Sequence, residues 1–148
     1  MYDDLSYDAA GGTRVSELTW ASSPPGYRRY ESTTLVGQGE QVWDEASAAV
    51  LTWGIKTRSG FSVMVGSNDE LRVVPGQDRV LAARVGPCTL REPVRVVDVV
   101  NGPDRRGFAY GTRLGHPVSG EEAFIVHRAS DGGVWLTLRS LTRAGRGR

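Results

Sequence analysis

The chain carries one cysteine in 148 residues, two histidines and two methionines, and its formal net charge is +1. Each shortage removes a class of chemistry. A lone Cys88 can form neither an internal disulfide nor a cysteine-based metal site, and its ordinary use is as a quiet structural thiol in a reducing compartment. His116 and His127 fall into neither a His-x-His nor a His-Glu-x-x-His spacing, so no metal motif is present and neither metal nor cofactor is expected. With 18 basic residues against 17 acidic ones, the chain lacks the strongly basic balance of a nucleic-acid-binding domain. No apolar run reaches the roughly 18 residues of a membrane span, and no charged-then-apolar leader opens the sequence; a cytoplasmic location is the expectation. A Gly-x-Ser-x-Gly elbow, a Walker loop and a Rossmann fingerprint are all missing, which takes the usual support from hydrolase, kinase and nucleotide-dependent oxidoreductase readings.

What is present is the composition of one globular domain: 39% hydrophobic and 24% charged residues, in a chain long enough for a real core. The basic residues are almost all arginine, and Lys56 stands alone. Residues 1–26 read as a loop-rich arm, with Asp3, Asp4 and Asp8 ahead of Gly11-Gly12 and a Pro24-Pro25-Gly26 break, and with Trp20 as its anchor on the core. Residues 27–143 form the body and 144–148 a flexible tail.

Period-2 alternation places a strand at 27–37, with Tyr30, Ser32, Thr34 and Val36 on one side, and Gly37-Gln38-Gly39 stops it. The period then changes. Val42, Trp43, Ala46, Ala49, Val50 and Trp53 recur at helical spacing, Glu40, Asp44 and Glu45 suit the first turns, and Gly54 or Gly60 ends the element. Further strands are expected at 61–65, 71–74, 79–85, 94–100 and 134–141, punctuated by Pro75-Gly76, Gly86-Pro87 and Asn101-Gly102-Pro103-Asp104. Many short strands interrupted by one long helix predict an α+β fold, a curved antiparallel sheet wrapped around one main helix.

The chemically able residues cluster in 106–126, RGFAYGTRLGHPVSGEEAFIV. Phe108, Tyr110 and Thr112 alternate with small residues, a Gly115-His116-Pro117 turn follows, and Glu122, Phe124 and Val126 continue on a second strand, so a hairpin is expected. Ala109, Gly111 and Ala123 leave room on one face for a ligand, a helix or another backbone. Glu121 and Glu122 are adjacent and must face opposite ways, so one site can use only one of them. Strand carboxylates are most often solvated or paired with arginine. Tyr110 is equally a hydrogen-bond donor to a ligand or a satisfied core phenol. His116 is placed for proton transfer near neutral pH, although loops also carry inert histidines. Arg105, Arg106 and Arg139 could each grip an anion, and most arginines of such a chain are paired or solvated.

Gly107-Phe108-Ala109-Tyr110-Gly111-Thr112, Gly115-His116-Pro117 and Ser119-Gly120-Glu121-Glu122-Ala123-Phe124 resemble an uncharacterised bacterial and plant family, the domain-of-unknown-function family numbered nineteen-ninety. Leu51-Thr52-Trp53, Leu5-Ser6-Tyr7 and Gly12-Thr13-Arg14 extend the resemblance over nearly the whole chain. It implies a helix-grip fold of the START and Bet v 1 type. Such chains usually continue into a long C-terminal helix, whereas this one ends at Ala144-Gly145-Arg146-Gly147-Arg148, so that helix is expected to be missing.

Two functional readings stay open. In one, the protein is a small-molecule cavity protein for an apolar or amphipathic ligand, or a cofactor-free acid–base enzyme of cyclase or dehydratase type. Trp53, Phe108, Thr112, Phe124, Trp135 and Arg139 would then bind the ligand, and Tyr110, His116 and Glu121 or Glu122 would orient it or move protons. In the other, an exposed apolar groove serves a partner helix or a second copy of the chain as a homodimer.

Overall fold

In the computed structural model, which describes residues 5–21, 24–58, 60–64, 71–114 and 119–143, the alternating segments pair into one seven-stranded sheet. The elements are β1 (Arg28–Gln38), α1 (Glu40–Val50), α2 (Gly54–Arg58), β2 (Ser62–Met64), β3 (Asp78–Val85), β4 (Cys88–Asn101), β5 (Arg105–Thr112), β6 (Ser119–Arg128) and β7 (Gly133–Arg143). The strand order is β1-β7-β6-β5-β4-β3-β2, with every pair antiparallel. From β2 to β7 each strand lies beside the next in sequence, and β1 closes on β7 after the helices have been laid across one face.

The single expected helix is two. α1 starts after Gly39, whose φ of 100° suits only glycine, and ends at Val50; Leu51 to Trp53 form a turn before α2. Trp53 itself sits at φ 66°, the left-handed region that a bulky side chain adopts at a cost of about 1–3 kcal/mol. Its burial explains why the turn persists: Trp53 is fully buried against Phe108 and Tyr110. Residues 71–74 form no strand. Val73 is instead a buried plug whose amide donates to the Leu51 carbonyl. β4 reaches back beyond residue 94 to Cys88, because Gly86-Pro87 makes a two-residue turn that pairs Val85 with Cys88.

The sheet is covered on both faces. On the helix face, Trp43, Val50, Leu51 and Trp53 pack with Leu81, Val94, Val96, Phe108, Tyr110, Phe124 and Val126 into the larger core. On the opposite face, Val97, Ala109, Ala123 and Ile125 receive Leu5, Tyr7 and Val15 from the N-terminal arm. The space left by the small residues is therefore filled by side chains of the arm: a Cβ at Gly111 would fall on the Tyr7 ring. Among its described residues the arm has no helix or strand beyond an isolated bridge between Leu5 and Arg113.

Two buried charges hold the arm. Glu121 accepts hydrogen bonds from Tyr7 Oη (2.5 Å), the Gly11 amide (2.8 Å), the Thr13 amide (3.0 Å) and the Thr13 hydroxyl. Arg139 donates Nε to Glu31 (2.8 Å), Nη1 to the Thr13 and Arg14 carbonyls, and Nη2 to those of Glu17 and Leu18. All five guanidinium donors have acceptors, which makes a fully buried arginine tolerable. Glu121→Ala is expected to lower stability by about 3 kcal/mol or more, since the arm's donors would be left without an acceptor. Urea unfolding should register that loss, together with faster amide exchange over residues 5–17. A change within about 0.5 kcal/mol would mean that the arm is held some other way.

Candidate functional site

The hairpin alternation sends Glu121 and Glu122 to opposite faces, as their adjacency requires, and so divides their work. Glu121 belongs to the arm. Glu122, on the helix face, accepts a short hydrogen bond from the Tyr110 hydroxyl and lies 3.7 Å from Lys56 Nζ. Tyr110 is the register partner of Glu122 across β5 and β6, so strand pairing alone brings phenol and carboxylate together. Burial pushes the Tyr110 hydroxyl well above its ordinary value of 10.0, and the neighbouring Glu122 and Glu92 charges push it further. The phenol is a proton donor at any working pH.

Lys56 comes from α2. Its side chain is only 12% exposed, and its ammonium lies 4.0 Å from the Phe61 ring centre and 5.7 Å from that of Tyr110. Lys56, Phe61, Glu92, Thr112, Glu122 and Thr142 line a pocket of about 240 Å3. Position alone could not reveal Lys56, which no motif marks. Its signal was compositional: the one lysine among seventeen arginines sits where a compact, mobile ammonium meets a carboxylate and two rings.

The aromatic pocket expected between helix and sheet is filled. Trp53 and Phe108 lie 4.8 Å apart edge to face, Trp53 and Tyr110 5.8 Å, and Tyr110 and Phe124 6.0 Å. Trp53, Phe108 and Tyr110 are among the largest fully buried side chains, so these rings are each other's contents. One polar atom is left over. Among the described residues no acceptor lies within hydrogen-bond reach of the buried Trp53 Nε1.

Two expected ligand contacts lie on the other face. Trp135 alternates with the helix-face residues Val134 and Leu136 and pairs in register with Leu35 and His127, so it lies on the opposite face of the sheet from Phe108. Arg139 shares that face and spends its donors on the arm carbonyls and Glu31. Thr112 does line the pocket, yet its hydroxyl is already bonded to Ser6 (2.5 Å) and accepts from the Gly120 amide (2.8 Å). His116 lies outside the described residues. His127 is half-buried on the arm face, with Nε2 3.0 Å from the Thr137 hydroxyl. Burial lowers its pKa below 6.5, and the charges of Arg105 and Arg139 lower it further.

No helix among the described residues is long and apolar enough to cross a membrane. A crystal structure of the hypothetical protein jhp0584 from Helicobacter pylori superposes with a TM-score of 0.62 at 6% identity, covering 79% of this chain and 70% of that one. The crystal structure of Ara h 8.0201, a protein of Bet v 1 type, gives a TM-score of 0.53 at 11% identity over 83% of this chain and 82% of that one. Such likenesses carry the fold, and with the curved sheet around the helices they make this a helix-grip architecture. A UPF0548 protein of Deinococcus radiodurans is 33% identical over 122 residues, 74% of this chain. The chain spans 59% of that relative's length. The domain of unknown function DUF1990 matches residues 6–147, and the chain belongs to that family.

Proposed function

We propose that the protein binds a small amphipathic molecule, its polar head in the pocket lined by Lys56, Glu92 and Glu122, with the Tyr110 hydroxyl buried behind Glu122, and its apolar part along the helix face of β7. The observation that carries this reading is the placement of the chain's one lysine, mostly buried, 3.7 Å from Glu122 beside a short Tyr110–Glu122 hydrogen bond. A pocket of about 240 Å3 is below the roughly 300–1,000 Å3 of drug-sized sites, so it suits a small ligand or one end of a larger one. Beyond Thr142 the helix face of β7 continues through Ser140, Leu138 and Leu136, all only partly buried. That strip offers a tail somewhere to lie.

The chemistry of the cluster suits acid–base work on a carbonyl or hydroxyl. Lys56 supplies a positive donor, Glu122 a base, and Tyr110 a protonated phenol through which a proton can pass to Glu122. A dehydratase- or cyclase-type reaction is the catalytic form of the proposal, and plain binding is its simpler form. Glu92 at the pocket wall adds a further carboxylate, and Glu121 also borders the pocket while its own carboxylate is bonded to the arm. We place the protein in the cytoplasm as part of this reading, since its one cysteine, Cys88, is exposed and unpaired.

Trp53 supports the same reading from the other side. A tryptophan held at φ 66° with an indole N–H lacking an acceptor carries two costs, each of about 1–3 kcal/mol. Burial against Phe108 and Tyr110 offsets the first, and a ligand group that accepts from the indole would remove the second. An interaction role rests on a different feature: β1 is an edge strand, with Tyr30, Leu35 and Val36 exposed. Pairing of two β1 edges would give a homodimer.

Native mass spectrometry of protein taken gently from its own host separates these readings. The expected result is a stoichiometric small-molecule adduct on the monomer, with Lys56→Met and Glu122→Gln each cutting its retention about tenfold, the loss of one charge-assisted contact. A clean dimer with nothing bound would favour the β1 edge instead. Trp53→Gly tests the filled cavity: it should cost about 3–5 kcal/mol, and added indole should restore part of the melting temperature. Indole without effect would mean that the neighbouring rings collapse into the space and hold no room for a guest.

A further inference from the structure

On the arm face, between residues 18–20 of the arm and strands β1, β5, β6 and β7, lies a second cleft of about 380 Å3. It is far from the Lys56 pocket in chemistry, and it is strongly positive. Arg29, Arg105 and Arg139 line it together with His127, and Glu31 is the one carboxylate among its described lining residues. Three guanidiniums against one carboxylate leave a surplus of two positive charges.

The partners of those arginines do not cancel the surplus. Arg105 donates Nε to the Val15 carbonyl and Nη2 to the Glu17 carbonyl, each at 2.7 Å. Arg29 donates to the Trp20 carbonyl and lies 4.2 Å from the Trp20 ring centre. Carbonyls and a ring face satisfy donors while leaving the net charge in place. Among the described residues, Arg139 is the one of the three that meets a carboxylate, Glu31, at 2.8 Å. Leu18, Thr19 and Trp20 of the arm form part of the remaining wall, and β1 and β7 add hydroxyls to it: Thr33 and Thr137 are 2.9 Å apart, and Thr137 also meets His127.

We propose that this cleft binds a small oxyanion, the phosphate or carboxylate group of a ligand, between Arg29, Arg105, His127 and the Thr33–Thr137 hydroxyls. A neutral molecule would leave the repulsion among the guanidiniums standing, and a cation would add to it. An oxyanion offsets it and accepts from guanidinium, imidazole and hydroxyl together. Burial and the Arg139 charge already lower the Arg105 pKa, in the direction such repulsion requires.

Binding is coupled to a proton. The charged groups facing His127 are Arg105 from β5, Arg139 from β7, and Glu31 and Arg29 from β1, while Trp20 of the arm caps the cleft. Burial, and after it the charges of Arg105 and Arg139, disfavour the protonated imidazole. An anion among them raises the His127 pKa back toward or above 6.5, so the complex takes up a proton and forms more tightly as pH falls.

The test uses sulfate, whose charge stays constant across this range, titrated into the full chain at low ionic strength while the His127 imidazole resonance is followed by NMR. Sodium chloride at matched ionic strength serves as the control. The expected result is one saturable site, a His127 pKa raised by about one unit, and affinity increasing from pH 8 to pH 6 (both values flanking roughly the imidazole range). Arg29→Gln should weaken binding about tenfold, with the melting temperature lowered modestly by the lost Trp20 contacts, whereas Arg84→Gln on β3 should not weaken it. His127→Gln should retain binding and lose its pH dependence. Phosphate and acetate arms identify the ligand chemistry: saturation by phosphate alone points to a phosphorylated ligand, and comparable saturation by acetate to a carboxylate. If chloride shifts His127 as much as sulfate does, or if Arg29→Gln and Arg84→Gln act alike, the cleft only screens charge and the proposal fails.

Discussion

The buried carboxylate of Glu121 is the contact on which the rest of the molecule depends. A strand of β6 can place a carboxylate under the arm only if the arm brings enough donors to replace water, and it brings four. An uncompensated carboxylate there would cost several kcal/mol, and the same group fully bonded ties residues 7–13 to the centre of the sheet. Arg139 does the equivalent work one strand away for the carbonyls of residues 13–18, with Glu31 balancing its charge. Both buried charges bind an otherwise irregular segment, so an arm without regular structure gains fixed coordinates.

With its arm face closed, the sheet offers its other face to the helices, and there packing decides what space is left. The turn between α1 and α2 drives Trp53 into the middle of the aromatic group formed by Phe108, Tyr110 and Phe124. Polar groups that cannot enter such a core collect at its margin. Glu122, Lys56 and Glu92 surround the Tyr110 hydroxyl there, and the pocket opens beside them. The two faces thus carry different electrostatics: a mixed acid–lysine pocket on one, a surplus of arginine charge on the other.

The fold was largely readable from the chain because its signals are local. Strand alternation in 27–37, 79–85 and 106–126, the helical stripe from Val42 to Val50, and the Gly and Pro punctuation each depend on neighbours a few residues apart. Errors fell where a distant contact overrode the local pattern. Val73 sits in a strand-like run but is drawn off as a plug by the Leu51 carbonyl, and Trp53 continues the helical stripe in sequence while its backbone leaves the helix. The site was readable to the same extent. Adjacency alone set Glu121 and Glu122 apart, and strand pairing put Tyr110 beside Glu122, yet nothing in the hairpin names Lys56, which reaches it from α2.

By itself the sequence determined the class of fold, the hairpin that carries the carboxylates, and the small residues that leave room on one face, because all three follow from periodicity and side-chain size. Only the tertiary structure decided what fills that room, which glutamate is spent on holding the arm, and where the lone lysine and the buried arginines meet their partners. Those outcomes depend on contacts between residues roughly a hundred positions apart, such as Tyr7 with Glu121 and Thr13 with Arg139. Chain connectivity does not encode such meetings locally; they exist only once the sheet has closed and brought both ends to the same face.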